Sequence, residues 1–255
     1  MKKTLSIYIF TYLLLTNLSF SQQKERKFNI HTIAFYNLEN LFDTINDINK
    51  DDEKSPIMEI KYNRGEIYKK KLANMAKVIS EIGTDSNKRP PSIIGICEIE
   101  NRGVVEDLIS HENLSNYNYS FVHYDSPDKR GIDVALIYNT DIFEVINSKS
   151  HELYITYNNT SERSYTRDQL VVSGKLDGEL LHLIVNHWPS RGADETKRIA
   201  AAKVNKSIID SLREIYKNPK IITMGDFNDD PFDKSIKQVL GTKKYIKDVR
   251  KDDMY

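Results

Sequence analysis

The sequence lacks the features that would place it at once in several familiar protein classes. Its only cysteine, Cys97, cannot form an intramolecular disulfide, which excludes a disulfide-stapled scaffold. Lysine and arginine together number 37, as do aspartate and glutamate, which excludes the strongly basic composition of a DNA-packaging protein. The chain also has no internal repeat and no low-complexity linker. These absences point to an ordinary globular domain, in which a local basic groove is still possible.

The one long apolar stretch lies at the N-terminus and is short for a membrane span. Lys2 and Lys3 precede the apolar residues 5–18, and residues 19–21 (Ser-Phe-Ser) form a small-x-small cleavage site. We therefore expect residues 1–21 to be an export signal peptide and the protein to be secreted or periplasmic. A spanning helix needs about 20 apolar residues, so we expect no stable membrane span after cleavage. A retained membrane anchor is the alternative.

The remaining residues, 22–255, are enough for one α/β domain with a sizeable core. Most of its apolar runs have the length and alternation of strands, and the periodicity predicts two long helices over residues 65–82 and 193–216. Asp177-Gly178 lies between two such runs and predicts a β-hairpin. This order predicts antiparallel-rich sheets covered by helices, an α/β sandwich.

Two of the apolar runs end in an acidic residue. Residues 220–224 lead into Gly-Asp-Phe-Asn, which carries Asp226 and Asn228, and residues 91–97 lead directly into Glu98. Carboxylate and amide oxygens at the rim of a buried strand can hold a water, a phosphate oxygen or a hard cation such as Mg²⁺. The sequence therefore predicts a metal-assisted hydrolase.

Other candidate residues also lie where a predicted strand ends or a loop begins. Asn37 follows the first predicted strand, which we place at residues 28–35, and Arg130 lies in a loop. Asn186 and His187 close a strand of the predicted hairpin. Each has a structural alternative, as a turn cap, a surface ion-pair partner or a hydrogen-bonded core residue.

These residue types suggest a division of labour. Glu98, with Asn37 beside it, would hold Mg²⁺ (or Mn²⁺ or Ca²⁺), which would neutralise a phosphate oxygen. Asp226 would orient or deprotonate the attacking water, and Asn228 would fix its position. The donors to the remaining phosphate oxygens would be His187 and Arg167.

Five motifs in this order resemble the endonuclease/exonuclease/phosphatase superfamily, which includes DNase I-like nucleases, abasic-site endonucleases, sphingomyelinases and inositol polyphosphate phosphatases. The resemblance implies a DNase I-like two-sheet α/β sandwich with helices on its outer faces. It also implies hydrolysis of phosphoester bonds with a divalent metal. The motifs are FYNLENLF (35–42), ICEIEN (96–101), RGIDVA (130–135), VNHW (185–188) and MGDFN (224–228).

By position, the resemblance places the family's metal-binding glutamate on Glu98 and its first-strand asparagine on Asn37. It places the phosphate-holding histidine on His187 and the water-positioning pair on Asp226 and Asn228. Looser matches give three substrate or phosphate candidates, Arg130, Arg167 and Asn186.

The family's pattern continues beyond the Gly-Asp-x-Asn motif to another pair of strands and a final Ser-Asp-His. This sequence reaches Tyr255 without that triplet. We therefore expect residues 22–255 to be a domain that is C-terminally truncated and lacks its last strands. Such a chain would miss one metal ligand and one acid–base group, and would be weakly active or inactive.

The resemblance favours an exported endonuclease that acts on nucleic acid by in-line attack of water. Two alternatives within the superfamily are a phosphatase and a phospholipid phosphodiesterase, because function depends on the loops around a shared site. A third alternative is a catalytically dead remnant that at most binds phosphate or metal.

Overall fold

The computed structural model describes residues 29–157, 160–250 and 253–255. The predicted signal peptide, residues 1–21, lies outside these residues, so cleavage and export stay predictions. The described strands and helices belong to one unit, His31–Tyr255. Within the described residues, no helix combines the length and apolar composition that crossing a membrane requires.

Ten strands form among the described residues, and eight of them build two four-stranded sheets. In chain order the strands are β1 (Ile33–Leu41), β2 (Ile93–Ile99), β3 (Tyr119–His123), β4 (Asp133–Asn139), β5 (Phe143–His151), β6 (Ile155–Thr156), β7 (Arg163–Ser164), β8 (Gln169–Leu176), β9 (Glu179–His187) and β10 (Lys220–Asp226). The first sheet has the order β1-β2-β4-β3 and the second β10-β9-β8-β5. In each sheet one edge strand runs parallel to its neighbour, β1 to β2 and β10 to β9, and the other pairs are antiparallel.

Three long helices cover the outer faces of these sheets. They are α1 (Arg64–Glu81), α2 (Arg102–Ser110) and α3 (Glu195–Ile215). α1 and α2 share an apolar core with the first sheet, and α3 shares one with the second. Leu72, Ala76 and Ile79 show the three- and four-residue spacing that gives α1 its buried stripe. Shorter helical segments cover Asp52–Lys54, Pro56–Glu59, Thr84–Asn87, Ser115–Tyr117, Ser235–Leu240 and Ile246–Asp248.

The two sheets face each other across a further apolar core. Ile93 and Cys97 of β2 pack into this core with Leu183 of β9, whereas Ile94 and Ile96 face α1 and α2. Successive side chains of a strand point to opposite faces, so a strand buried on both faces needs a continuous apolar run. The layers are therefore helix, sheet, sheet and helix, and the predicted α/β sandwich is confirmed.

The predicted hairpin is confirmed, and the first strand was predicted wrongly. β8 and β9 are joined at Asp177-Gly178, with Leu176 paired to Glu179. The first strand, expected at residues 28–35, runs from Ile33 to Leu41. The difference arises because β1 continues to pair with β2 beyond its apolar part, through polar residues that the alternation pattern excludes. The expected absence of the family's last strands stays a prediction.

Gly225 allows β10 to lie against the backbone of β9. It is the register partner of Asn186, and a Cβ at Gly225 would lie 2.3 Å from the Asn186 backbone oxygen. Only glycine fits so close an approach of two backbones. Asp226 is the residue after Gly225 and the last of β10, so this contact also fixes where the Asp226 side chain lies at the end of the sheet.

We expect Gly225→Ala to lower the free energy of unfolding by at least about 2 kcal/mol, because the backbone of β9 would have to move. Urea unfolding followed by circular dichroism measures the change. The matched control is Gly65→Ala in α1, where no atom lies within 4 Å of the added carbon. Alanine is the better helix former, so this control should be unchanged or more stable by up to about 1 kcal/mol. Equal stability of the two variants would contradict the close contact.

Candidate active site

The carboxyl-terminal ends of four strands, two from each sheet, meet at one place. Asn37 lies on β1 and Glu98 on β2, while His187 ends β9 and Asp226 ends β10. Ligand atoms of Glu98, His187 and Asp226 all lie within 4.8 Å of one another. Because β1 is parallel to β2 and β9 to β10, each pair presents its carboxyl ends on the same side. The fold thus joins into one cleft residues that are far apart in the sequence.

The backbone is distorted at four residues in and around this cleft. Glu39, Asn40 and Glu98 have φ angles of 50°, 58° and 58°, and Asn228 has 51°. Residues other than glycine rarely occupy this left-handed region. The pairing registers of β1 and β2 shift around the same positions. Such strain costs about 1–3 kcal/mol per residue and concentrates at functional sites, so its position agrees with the predicted site.

Asn37 bridges the two acidic residues of the cleft. Its Nδ2 donates to Glu98 Oε1 at 2.9 Å and to Asp226 Oδ2 at 3.2 Å. Its Oδ1 accepts the backbone N–H of Glu39 at 2.8 Å, and the other oxygen of Glu98 accepts the Asn40 N–H at 3.0 Å. Asn37 therefore positions both carboxylates through its amide N–H, and its predicted role as a metal ligand stays a prediction.

His187 presents a neutral imidazole to the same cleft. Its Nε2 lies 3.6 Å from Glu98 Oε1, and its buried Nδ1 has no hydrogen-bond partner among the described residues. Burial lowers the pKa of His187 to about 2, and the positive charges of Arg167 and Arg130 act in the same direction. A neutral imidazole offers one N–H donor and one lone pair. It can therefore donate to a phosphate oxygen or bind a metal ion.

The residues present fit a divalent cation. Glu98 and Asp226 form no ion pair with a lysine or arginine nitrogen within 4.0 Å among the described residues, and the charge of Lys71 acts on Glu98 only from a longer distance. His187 adds a nitrogen donor with one ring atom still unpartnered. Carboxylate and water oxygens suit hard cations such as Mg²⁺ and Mn²⁺, and an imidazole also suits Zn²⁺.

The Gly-Asp-Phe-Asn turn is held by hydrogen bonds to the end of β9. The Asn228 backbone N–H donates to Asp226 Oδ1 at 3.0 Å, and Asn228 Nδ2 donates to the Trp188 carbonyl at 3.0 Å. The Trp188 N–H in turn donates to the Asp226 carbonyl at 2.9 Å. Asn228 therefore fixes the orientation of the Asp226 carboxylate, and the role of this pair in positioning water stays a prediction.

Arg167 and Arg130 converge on Asp128, a buried carboxylate that none of the sequence motifs contains. Arg167 Nη1 lies 3.2 Å from Asp128 Oδ2, and Arg167 Nη2 donates to the Trp188 carbonyl at 2.6 Å. Arg130 donates from Nε and Nη2 to both oxygens of Asp128 at 3.1 Å. This triad links the two predicted phosphate-binding arginines to the strand end that carries His187.

Both buried charges of this triad are perturbed. Burial would raise the pKa of Asp128, but the hydrogen bond from Arg130 and the charge of Arg167 outweigh it and hold that pKa below its ordinary value. Burial lowers the pKa of Arg167, and the charge of Asp128 opposes this. Asp128 therefore depends on the two arginines to stay charged in the protein interior, and it supplies the counter-charge of buried Arg167.

Asn186 was predicted to contact substrate, and the structure places it elsewhere. Its side chain is fully buried, and its Nδ2 donates to Thr223 Oγ1 and to the Met224 carbonyl, both at 3.0 Å. Its Oδ1 accepts hydrogen bonds from Trp188 Nε1 and from Asn205 of α3. Adjacent residues of a strand face opposite sides, so Asn186 faces α3 while His187 faces the cleft.

Two further residues organise the cleft: Lys71, which was missed from the sequence, and Asp133, which lies in the RGIDVA motif. Lys71 of α1 donates its ammonium group to the carbonyls of Glu39 and Asn40, which stabilises the distorted end of β1. Asp133 accepts hydrogen bonds from Ser126, which anchors the loop that carries Asp128 and Arg130. Lys71 stands in a run of three lysines and shows no distinguishing signal. Asp128 could have been noticed because it stands two residues before Arg130, the spacing at which an aspartate accepts a backbone N–H in an Asx turn.

The comparisons with known proteins agree with the fold. A family model described as Endonuclease/Exonuclease/phosphatase family matches residues 32–255. The comparison with curated proteins gave no match. Among solved structures, ANGEL2, described as a 2′,3′-cyclic phosphatase, aligns with a TM-score of 0.55 and 13% identity. That alignment covers 82% of this chain and only 56% of ANGEL2, so the chain spans little more than half of that protein.

Two bacterial structures are similar to a comparable degree. A mannosyl-6-phosphatase of Bacteroides thetaiotaomicron has a TM-score of 0.53 and 16% identity, with 83% of this chain and 70% of that chain covered. An endonuclease/exonuclease/phosphatase from Bacteroides vulgatus has a TM-score of 0.52 and 15% identity, with 84% and 70% covered. At such identities the likeness shows the DNase I-like fold alone.

We expect Asp128→Asn to lower the free energy of unfolding by about 3–5 kcal/mol at neutral pH, because it leaves Arg167 buried without its counter-charge. The stabilisation by Asp128 should be complete above its unfolded pKa of about 3.9 and be lost as the pH falls through its lower folded pKa. The difference between wild type and variant should therefore shrink in acid. Urea unfolding at several pH values measures this difference.

The matched control for this variant is Asp125→Asn in the same loop. The Asp125 side chain is 81% exposed, and its closest ionic partner is His123 at 4.0 Å. We expect a change within about 0.5 kcal/mol at every pH. A large effect of the control, or a pH-independent effect of Asp128→Asn, would contradict the buried ion pair.

Proposed function

The chain belongs to the endonuclease/exonuclease/phosphatase family, and we propose that it is an exported, divalent-metal-dependent nuclease. Family membership supports the coarser activity, hydrolysis of phosphoester bonds. Export is proposed from the charged start and short apolar stretch of residues 1–21, and the N-terminal mass of the secreted protein tests it. The observation that carries the catalytic proposal is the convergence of Glu98, His187 and Asp226 within 4.8 Å.

The acidic side of the cleft would hold the cation and the attacking water. Glu98 and Asp226 carry uncompensated charge and share the amide group of Asn37. A divalent cation bound there would neutralise a phosphate oxygen and stabilise the charge that develops on attack. Asp226, held by Asn228, would orient the water or accept a proton from it at a carboxylate oxygen.

The cationic side of the cleft would hold the phosphate. Neutral His187 would donate a ring N–H to a phosphate oxygen, because its low pKa keeps it from carrying a further positive charge. Arg130 has its side chain 55% exposed and its geometry fixed by Asp128, so its remaining N–H groups can reach an anion from solvent. Preorganised donors of this kind stabilise developing negative charge without reorganising during the reaction.

We expect any hydrolysis of plasmid DNA or RNA by the protein to require Mg²⁺ and to be lost in a chelator, because the two carboxylates need a cation to act on phosphate. Sphingomyelin, inositol phosphates and phosphomonoesters should be cleaved more slowly. Gel and phosphate-release assays measure the rates. Hydrolysis that survives chelation would contradict the metal dependence, and faster release from a monoester would favour the phosphatase alternative.

We expect Glu98→Gln and Asp226→Asn to lower kcat/KM by at least about 100-fold, since stabilisation by a bound metal is worth several kcal/mol. Both should also weaken Mn²⁺ binding in isothermal titration calorimetry, which reports on the site even if turnover is slow. The control is Glu106→Gln, which removes a carboxylate from a surface i,i+4 ion pair on α2. Full Mn²⁺ affinity in both cleft variants would remove the site assignment.

A further inference from the structure

A cavity of about 300 Å³ opens beside the Asp128–Arg167 pair. Arg130 and Arg167 line it, and Arg167 also donates to the carbonyl of Trp188, the residue after His187. The opposite walls come from the segment before β8 and from the start of α3. These walls include Tyr157, Ser164, Tyr165, Thr166 and Lys197.

Positive charge dominates the lining of this cavity. Lys129, Arg130, Arg167 and Lys197 line it, against the single acidic residue Asp128, which both arginines already share. Neither Lys129 nor Lys197 has a carboxylate within 4.0 Å in the described part of the chain. The cavity therefore carries more positive charge than one reacting phosphate needs, and this excess favours a ligand with several phosphates in succession.

Two tyrosine rings stand next to these cations. Tyr157 and Tyr165 are 43% and 44% exposed. The Lys197 ammonium lies 4.6 Å from the centroid of Tyr157 and donates to Ser164 Oγ at 2.9 Å. The Lys129 ammonium lies 5.5 Å from the centroid of Tyr165, and the guanidinium of Arg163, which pairs with Glu152, lies 4.7 Å from the same centroid. A flexible lysine can turn to a phosphate and leave the ring face to a base. Cationic grooves with exposed aromatic rings are how proteins bind single-stranded nucleic acid.

Buried polar atoms without partners also lie in this wall. Thr166 Oγ1 and Arg167 Nε are buried and have no hydrogen-bond partner among the residues that the structure describes. Both side chains are at least nine-tenths buried. Unsatisfied buried polar groups are rare in native proteins, so these two atoms mark this wall as unusually polar beneath its surface.

We propose that this cavity binds a base of a single-stranded nucleic acid next to the scissile phosphate. The base stacks on Tyr157 or Tyr165, and Lys129 and Lys197 contact the neighbouring phosphates. A base inside a duplex is stacked between its neighbours and has no free face for a tyrosine, which is why the strand is single. The inference rests on the proposed nuclease function and adds that the substrate is single-stranded at this site.

The test compares two double variants of the full chain for binding, in a chelator, to fluorescein-labelled single-stranded oligothymidylate. Tyr157→Leu with Tyr165→Leu removes both rings, and Tyr157→Phe with Tyr165→Phe keeps them. We expect the leucine pair to raise Kd about 10-fold or more and the phenylalanine pair to change it little, as stacking contributes strongly per base. The same strand with abasic sugars should bind all three proteins equally. Fluorescence anisotropy gives each Kd.

A second pair of substitutions tests the phosphate contacts. Lys129→Gln with Lys197→Gln should weaken the base-containing and abasic strands equally. It should also reduce the salt slope of log Kd by roughly 0.7 for each phosphate that a lysine no longer neutralises. Thermal unfolding should match wild type for all variants, because these four side chains lie at the cavity surface.

The outcomes separate this inference from the proposed function. The base-binding site would be overturned if the leucine pair lost as much affinity for the abasic strand as for the base-containing strand, or lost no affinity for either. Binding of mannose 6-phosphate that depends on the tyrosines, without such dependence for oligothymidylate, would overturn the nucleic-acid assignment. A wild type that binds bases through the tyrosines but shows no Mg²⁺-dependent hydrolysis would overturn the proposed nuclease and leave the binding site standing.

Discussion

The hydrogen bonds of Asn37 join the two sheets at the point where the chemistry is expected. One bond goes to Glu98 in its own sheet and the other to Asp226 in the opposite sheet. This bridge can form only because the apolar core between the sheets sets their separation, with Cys97 and Met224 packed just behind the acidic residues. The two carboxylates carry like charges, lie on different sheets and are joined by one amide group. Their close approach therefore depends on how the two sheets pack more than on any loop.

The charges around the cleft follow a consistent division. The acidic residues at the ends of β2 and β10 have no basic partner among the described lysines and arginines, whereas the basic residue Arg167 is buried against Asp128. An uncompensated carboxylate pair attracts a cation, and a fixed guanidinium group presents donors to an anion. The distorted backbone at Glu39, Asn40 and Glu98 shows that the fold accepts local strain to keep this arrangement.

Much of the site was accessible from the sequence because its residues follow apolar strands. Glu98 and Asp226 end such runs, and parallel neighbours bring those ends to the same edge. Asn186 was predicted wrongly for a related reason, since a strand alternates faces and one position decides between the cleft and α3. Asp128 was missed because a loop aspartate beside an arginine is common, and its burial becomes visible only when Arg167 arrives from another part of the chain.

The sequence by itself determined the layers of the fold and the chemical types gathered in the cleft, because apolar periodicity and motif order are local properties of the chain. Only the tertiary structure decided which polar side chains face that cleft, which arginine is neutralised and where an aromatic, cationic cavity opens beside it. Those features depend on contacts between residues far apart in the chain. Such contacts exist only after the two sheets have packed.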